Sequence, residues 1–405
     1  MLANLLGRVP SQELRVVLGE RVGQTGQYGG ASDDPNNFYL PLWGDSCQVV
    51  LTYDGAEIIG VERGPALSVE EWERLNEELE NSLVRGPQTL GRDFSFNGHR
   101  VLGWWRGAQS GVQILPPPAN TPVAPVEIAD HPFILEFPIQ GSDVLSLTNY
   151  RRIRDHRRLT LLLNVLLRGG TSLQPLRTDH FWAAVPRDAE HPGNIEIKWV
   201  QEFFFSASLG QVVIDELSLP VGSPLDEVES AAYYALRGHD GQGLRVPADL
   251  DRSICLYQQL PPAHREKFDR ATFWLDGMSR QWTFSMSASF ASLVIALEAL
   301  TKRGTRHPTR CTVCGWSGTH DIPGATEKLR AFFGEYAPGV PHEIIERVIK
   351  LRGSILHGGT LMQVDQVRAF GWDPVESREL ELVRELATWT KVALRNWLKN
   401  PPRVV

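Results

Sequence analysis

Between residues 255 and 400 five stretches carry apolar side chains at helical spacing, separated by turns, with no internal repeat. That period is helical. The stretches 261–280, 285–302, 324–336, 341–360 and 375–400 therefore predict five helices that bury their apolar stripes as an all-α bundle of ordinary domain size. In 341–360 the stripe is Ile344, Ile345, Val348, Leu351, Ile355 and Leu356. Gly358-Gly359 follows it and supplies the left-handed turn that stops a helix.

The first half obeys a different rule. Short β-branched or aromatic runs at 48–53, 56–62, 99–105, 131–137, 194–200 and 211–217, bounded by Gly, Asn, Asp or Pro, predict strands. Two helices interrupt them. One covers 68–83 and opens on Ser68 with acidic residues in its first turn; the other covers 150–167 and stops at Gly169-Gly170. Residues 116–125 form a proline-rich connector, and Gly and Pro thicken around 220–249. The expected architecture is α+β in two domains: a strand-rich domain over 1–220, a linker over 221–254 and the helical bundle over 255–400, with a cysteine-containing loop at 303–323.

A length of 405 residues exceeds the usual single core, which agrees with that division. The net charge of -7 gives no bulk attraction for nucleic acid, so an RNA contact needs a local basic patch. No apolar run approaches the ~20 residues of a membrane span. Residues 1–15 lack the basic start and apolar core of a secretory signal. Of only four cysteines two form a Cys-x-x-Cys, which suits a reducing compartment, the cytoplasm by default. A Rossmann or P-loop signature is absent, so no nucleotide-dependent chemistry is expected.

Basic residues concentrate at one place. Arg151, Arg152, Arg154, Arg157 and Arg158 fall within eight residues at a helix start, either a cationic patch for an RNA backbone or phage-derived anion, or a solvated helix face. Trp104-Trp105 and Phe203-Phe204-Phe205 offer base-stacking surfaces or, more simply, β-core packing.

Late in the fourth helical stretch, Arg352 and His357 form an Arg-x-x-x-x-His. It is preceded by Ile349 and Leu351, follows a helix ending Leu297-Glu298-Ala299-Leu300, and precedes a long closing helix. This order, over roughly 255–400, resembles the HEPN superfamily and within it the Apea-like branch. The residue after the arginine is Gly353, where family members commonly carry Asn, Asp or His. The place two after the histidine is Gly359, not the tyrosine of members paired with nucleotidyltransferase antitoxins. The resemblance implies a homodimer whose two Arg-His pairs line one cleft. It also implies RNA cleavage without a catalytic metal, with the ribose 2′-hydroxyl as nucleophile. The residue types suit that chemistry. Histidine exchanges protons near neutral pH, and a helix C-terminus favours its protonated form. Arginine presents a charged planar fork to phosphate oxygens. His357 is the expected general acid or base, Arg352 the phosphate binder, and Ser354 an auxiliary hydrogen-bonder. The alternative for the pair is plain complementation of the helix dipole. Glu298, alone among apolar neighbours, is a candidate partner of Arg352.

In 303–323, Cys311-x-x-Cys314-Gly has the spacing of a zinc knuckle, and His307 and His320 flank it and could complete a structural Cys2His2 site. Asp321 is a weaker substitute, Cys255 reads as a buried apolar residue, and free thiols in a surface loop are the plain alternative. Two functions follow. One is an endoribonuclease that cuts tRNA or mRNA in defence against phage or as a toxin, gated through the first domain by a phage-derived trigger. The other is an inactive bundle serving as a dimerisation module, with ligand sensing in the first domain.

Overall fold

The structure is a computed structural model. It describes residues 5–22, 29–31, 37–41, 47–84, 86–119, 121, 130–173, 181–187, 193–200, 209–235, 243–282, 284–302, 305–310, 312, 315, 317–366 and 374–402. The fold is mixed α+β. Its helices are α1 (Ser11–Val22), α2 (Val69–Val84), α3 (Leu145–Leu166), α4 (Ser230–Ala235) and α5 (Leu250–Gln258), then α6 (Pro262–Gln281), α7 (Met286–Leu300), α8 (Ala325–Tyr336), α9 (His342–Leu356) and α10 (Pro374–Lys399). Among the described residues no helix is long and apolar enough to cross a membrane.

The chain forms two compact units, and neither is one continuous stretch. The first comprises Met1–Asp93, Glu136–Arg157 and Phe205–Leu219; the second comprises Phe94–Leu135, Arg158–Phe204 and Pro220–Val405. This differs from a division at residue 220. Strands Gln88–Asn97 and His131–Gln140 and helix α3 each run from one unit into the other, so no cut between consecutive segments separates them. The expected linker also carries structure: Glu227–Val228 pairs in parallel with Val246–Pro247, and α4 and the start of α5 lie in it.

In the first unit α1 and α2 pack on a four-stranded antiparallel sheet in sequence order, Gly29–Ala31, Asn37–Pro41, Cys47–Asp54 and Glu57–Arg63. The core joins Leu14, Leu18, Val49, Leu51, Leu79 and Leu147. Ser68 starts α2 with a capping box: its Oγ accepts the Glu71 N–H, and the Glu71 carboxylate accepts the Ser68 N–H. The expected arginine patch is corrected here. Arg151 is 1 % exposed, bonded to the buried Glu13 and to the Leu83 and Gly141 carbonyls. Arg152 is buried against Asp93, and Arg154 pairs with Glu13 and Asp155. Arg157 is exposed; Arg158, in the second unit, pairs with Asp269 at 3.0 Å. A guanidinium spent on a buried carboxylate cannot also hold an RNA backbone, and three of the five sit on no solvated face.

In the second unit α6 lies along α7, and α10 packs on α5, α6, α7 and α8. Phe268, Phe290, Leu293, Leu297, Leu386 and Trp397 are fully buried in this helical core. Helix α9 packs on α7 and α8. The expected loop at 303–323 is instead a β-hairpin, Thr305–Arg310 against Ser317–Ile322. The structure places Trp105 in the core, its Nε1 donating to Glu227, and Trp104 half-buried; Phe203-Phe204-Phe205 lie outside the described residues.

Candidate functional site

Helix α7 organises the site from both ends. At its start Ser285 is the N-cap, its Oγ accepting the Ala288 N–H at 3.1 Å. Asp365, past the end of α9, accepts the Met286 N–H at 2.7 Å, the Ser287 N–H at 2.6 Å and the Ser285 hydroxyl at 2.8 Å. A carboxylate on exposed amide groups at a helix start is favoured by charge as well as by hydrogen bonding. Burial alone would raise the Asp365 carboxyl; the bonds from Ser287, Met286 and Ser285 outweigh it and hold the pKa below the usual value. The Met362 N–H also donates to Ser287 Oγ. The chain leaving α9 is thus fastened to α7.

At the other end of α7, Glu298 Oε1 accepts Arg352 Nε at 2.8 Å, with the two side chains 28 % and 19 % exposed. Glu298 is therefore the arginine's partner. It occupies one edge of the guanidinium, and the two terminal NH2 groups have no hydrogen-bond partner among the described residues. A bidentate clamp on a phosphate needs those groups. Nearer the start of α9, Arg330 of α8 grips Glu346 with two bonds of 2.7 Å and fixes the helix's N-terminal half.

The end of α9 is a Schellman turn. Gly359 N–H reaches the Ser354 carbonyl at 2.8 Å, Gly358 N–H reaches Ile355 at 3.0 Å, and Gly358 takes φ +69°. His357 is the C-cap itself, exposed, and its imidazole bonds to no described residue. Ser354 spends its hydroxyl on the Lys350 carbonyl at 3.4 Å, a weak back-bond within the helix. Gly353 has open space where a side chain would go, so its smallness answers no local crowding.

Among the described residues no hydrogen bond joins Arg352 to His357. Five residues along a helix advance about 7.5 Å and turn the side chain by roughly 140°. Arg352 is drawn to α7, while His357 stands in solvent. The arrangement offers a fixed guanidinium and an exposed imidazole on one helix end. The stripe of α9 is only half covered: Val348 is buried, while Ile344, Ile345, Leu351, Ile355 and Leu356 are half-buried.

The hairpin sets His307 directly opposite His320 in register, three pairs from its last pair, Arg310 and Ser317. At a strand rise of about 3.3 Å that is ~10 Å along the ladder from the Arg310 and Ser317 pair. Cys311 and Cys314 lie outside the described residues, as do the details of the turn. Among the described residues no cluster of three or more His, Cys, Asp or Glu could hold a metal.

Comparison of the chain with family models, with curated proteins and with solved structures finds no match.

Proposed function

We propose that the chain is a HEPN-like endoribonuclease acting without a catalytic metal, assembled as a homodimer whose two α9 ends share one cleft. One observation carries the proposal: Arg352 is pinned through Nε by Glu298 with its two NH2 groups unengaged, and an unpaired, exposed His357 caps the same helix. In the proposed reaction the ribose 2′-oxygen attacks the adjacent phosphorus as a base takes its proton. The guanidinium meets the charge on the phosphorane, and an imidazolium protonates the departing 5′-oxygen. The products are a 2′,3′-cyclic phosphate and a 5′-hydroxyl. The second chain supplies the other imidazole, so one histidine serves as base and its counterpart as acid. RNA, tRNA or mRNA, is the proposed substrate, a phage-derived trigger the proposed activator, the cytoplasm the proposed location, and halting growth of an infected or poisoned cell the proposed outcome.

The test is direct. Purified protein with mixed tRNA in EDTA is expected to produce cyclic-phosphate ends, and His357→Ala to abolish them. Intact RNA under all conditions, with or without phage lysate, overturns the nuclease reading.

A second reading is a dimerisation module with no chemistry. It is favoured by the half-covered stripe of α9 and by Gly353 in place of the family's polar residue. Mass measurement showing a dimer together with no cleavage at any concentration selects it.

A further inference from the structure

The corner between α6 and α7 carries aromatic and cationic groups that the Arg352 and His357 site does not use. Arg280 lies in the last turn of α6, Trp282 is its C-cap, and Phe284 precedes the Ser285 cap of α7. Phe284 is 89 % exposed and Trp282 half-buried. The guanidinium of Arg384, from α10, lies over the Trp282 ring at 5.7 Å from its centroid. All four residues belong to the second unit.

The backbone of the corner is tied down. Phe284 N–H and Ser285 N–H both donate to the Gln281 carbonyl, at 2.9 and 2.8 Å, and the Ser285 hydroxyl donates to Asp365 at 2.8 Å. The Phe284 ring is therefore held out to solvent on a backbone fixed before a ligand arrives, which lowers the ordering cost of binding.

Its cations keep donors to spare. Arg280 gives Nε to Asp276 at 2.7 Å, which offsets its charge in part, and its two NH2 groups bond to no described residue. Arg384 forms no ion pair among the described residues, although Glu381 and Glu385 are exposed on the same helix. The Trp282 indole N–H also bonds to no described residue.

An exposed phenylalanine alone is ordinary on a protein surface. Here the ring stands in a run of alternate residues, Arg280, Trp282 and Phe284, with a further guanidinium stacked on the indole. A self-contact of this corner across a two-fold axis would set guanidinium groups of like charge together, so the cations favour a polyanion over a second copy. Unpaired bases with phosphates between them match both kinds of group, whereas duplex RNA keeps its bases in stacked pairs.

We propose that this corner is a stacking platform for single-stranded RNA, a step that rests on the RNA-cutting function proposed above. An unpaired base stacks on Phe284, and Arg280 and Arg384 meet phosphates beside it. Phe284 stands at the start of α7 and Glu298 near its end, roughly 20 Å apart at about 1.5 Å per residue. The platform thus grips strand away from the phosphate that Arg352 meets. It adds affinity with little choice of sequence, because every base presents a π-face.

Fluorescence anisotropy with the full-length protein tests this, using a labelled 2′-O-methyl oligoribonucleotide, single-stranded or annealed to its complement. The probe lacks the 2′-hydroxyl nucleophile, so binding is read apart from cleavage. Saturable binding of the single strand is expected, and Phe284→Ala is expected to weaken it about fivefold or more, the scale of one base stacked on an aromatic ring. Phe284→Trp, which keeps a ring, is expected to stay close to wild type, and duplex binding is expected to move in neither variant. Arg384→Gln is expected to reduce the slope of log affinity against log salt by ~0.7, one phosphate contact on a single strand. Single-strand affinity unmoved in Phe284→Ala overturns the platform, and so does a wild type that binds no single strand. The nuclease reading stands or falls separately, on cyclic-phosphate ends from mixed tRNA. A wild-type dimer that Phe284→Ala dissociates puts a second copy on the corner and overturns the platform as well.

Discussion

Arg352 Nε donates to Glu298 Oε1 over 2.8 Å, which ties the C-terminal half of α9 to the C-terminal half of α7. The pair is half-buried, so its worth to stability is that of a partly screened ion pair, ~1 kcal/mol or less. Its worth to chemistry is larger under the proposed function, because it fixes which edge of the guanidinium faces outward.

Under the proposed function Glu298→Gln is accordingly expected to leave the melting temperature nearly unchanged while lowering the RNA cleavage rate, by up to about a hundredfold if the guanidinium shifts by about 1 Å. The KM against kcat split is informative: the loss belongs in kcat if Glu298 aligns Arg352 for the phosphorane. A variant as active as wild type would show that the pair is structural only.

Gly353 and Gly358 separate the two uses of glycine in α9. A Cβ at Gly353 meets nothing, and the residue is helical, so Gly353→Ala is expected to stabilise by ~0.5–1 kcal/mol. Gly358 sits at φ +69°, so Gly358→Ala is expected to cost ~1 kcal/mol or more. Chemical denaturation of both variants beside wild type reads the two signs; a destabilising Gly353→Ala would contradict the open space around it.

The helices were legible because their apolar periods are strong. The expected 261–280 and 375–400 are α6 and α10 to within a residue or two. What the sequence hid is polar residues buried in pairs. Strand Gln88–Asn97 carries Asp93, Ser95 and Asn97 inward, where they meet Arg152, Thr160 and Thr171, so no alternation of apolar residues announced it. Helix α1 buries Glu13 for the same reason. At the site, the residues of the Arg-x-x-x-x-His could be read, and the Glu298 contact could be guessed. That Glu298 takes the Nε edge of Arg352 while His357 stands exposed as the C-cap depends on packing that a motif does not display.

The burial of Arg151 makes a strong prediction. Glu13 accepts two bonds from Arg151 and one from Arg154, all within the first unit. Glu13→Ala strands a buried guanidinium and is expected to destabilise by about 3–5 kcal/mol. Glu13→Met with Arg151→Met, which removes both charges, is expected to recover a good part of that. Denaturant midpoints of the single and double variants give the answer; an additive double variant refutes the pairing.

Asp365 gives the acid side of the pH profile. Its folded pKa is held below the unfolded value, so its contribution is present above about pH 4 and is lost as pH falls through the folded pKa. Asp365→Asn keeps the shape but weakens the charged contacts to the start of α7. The difference in melting temperature between wild type and this variant is expected to be steady from pH 7 to pH 5 and to shrink below pH 4. A constant difference down to pH 3 would remove Asp365 as a charged cap.

Lys391 sets the alkaline side. Its ammonium donates to Asn164 Oδ1 at 3.1 Å beside Arg395. Burial, then the Arg395 charge, lowers its pKa to about 8. In the unfolded chain a lysine titrates near ~10.4, so between roughly pH 8 and pH 10 the unfolded state holds more protons than the folded one. Stability then rises with pH across that window as the folded lysine sheds its charge. Lys391→Met has no proton to shed, and is expected to be the more stable form at pH 7 with an advantage that narrows toward pH 10. Melts of the two proteins at half-unit steps follow the narrowing. If the two curves run parallel, the ammonium is solvated in the folded protein and the depressed pKa is wrong.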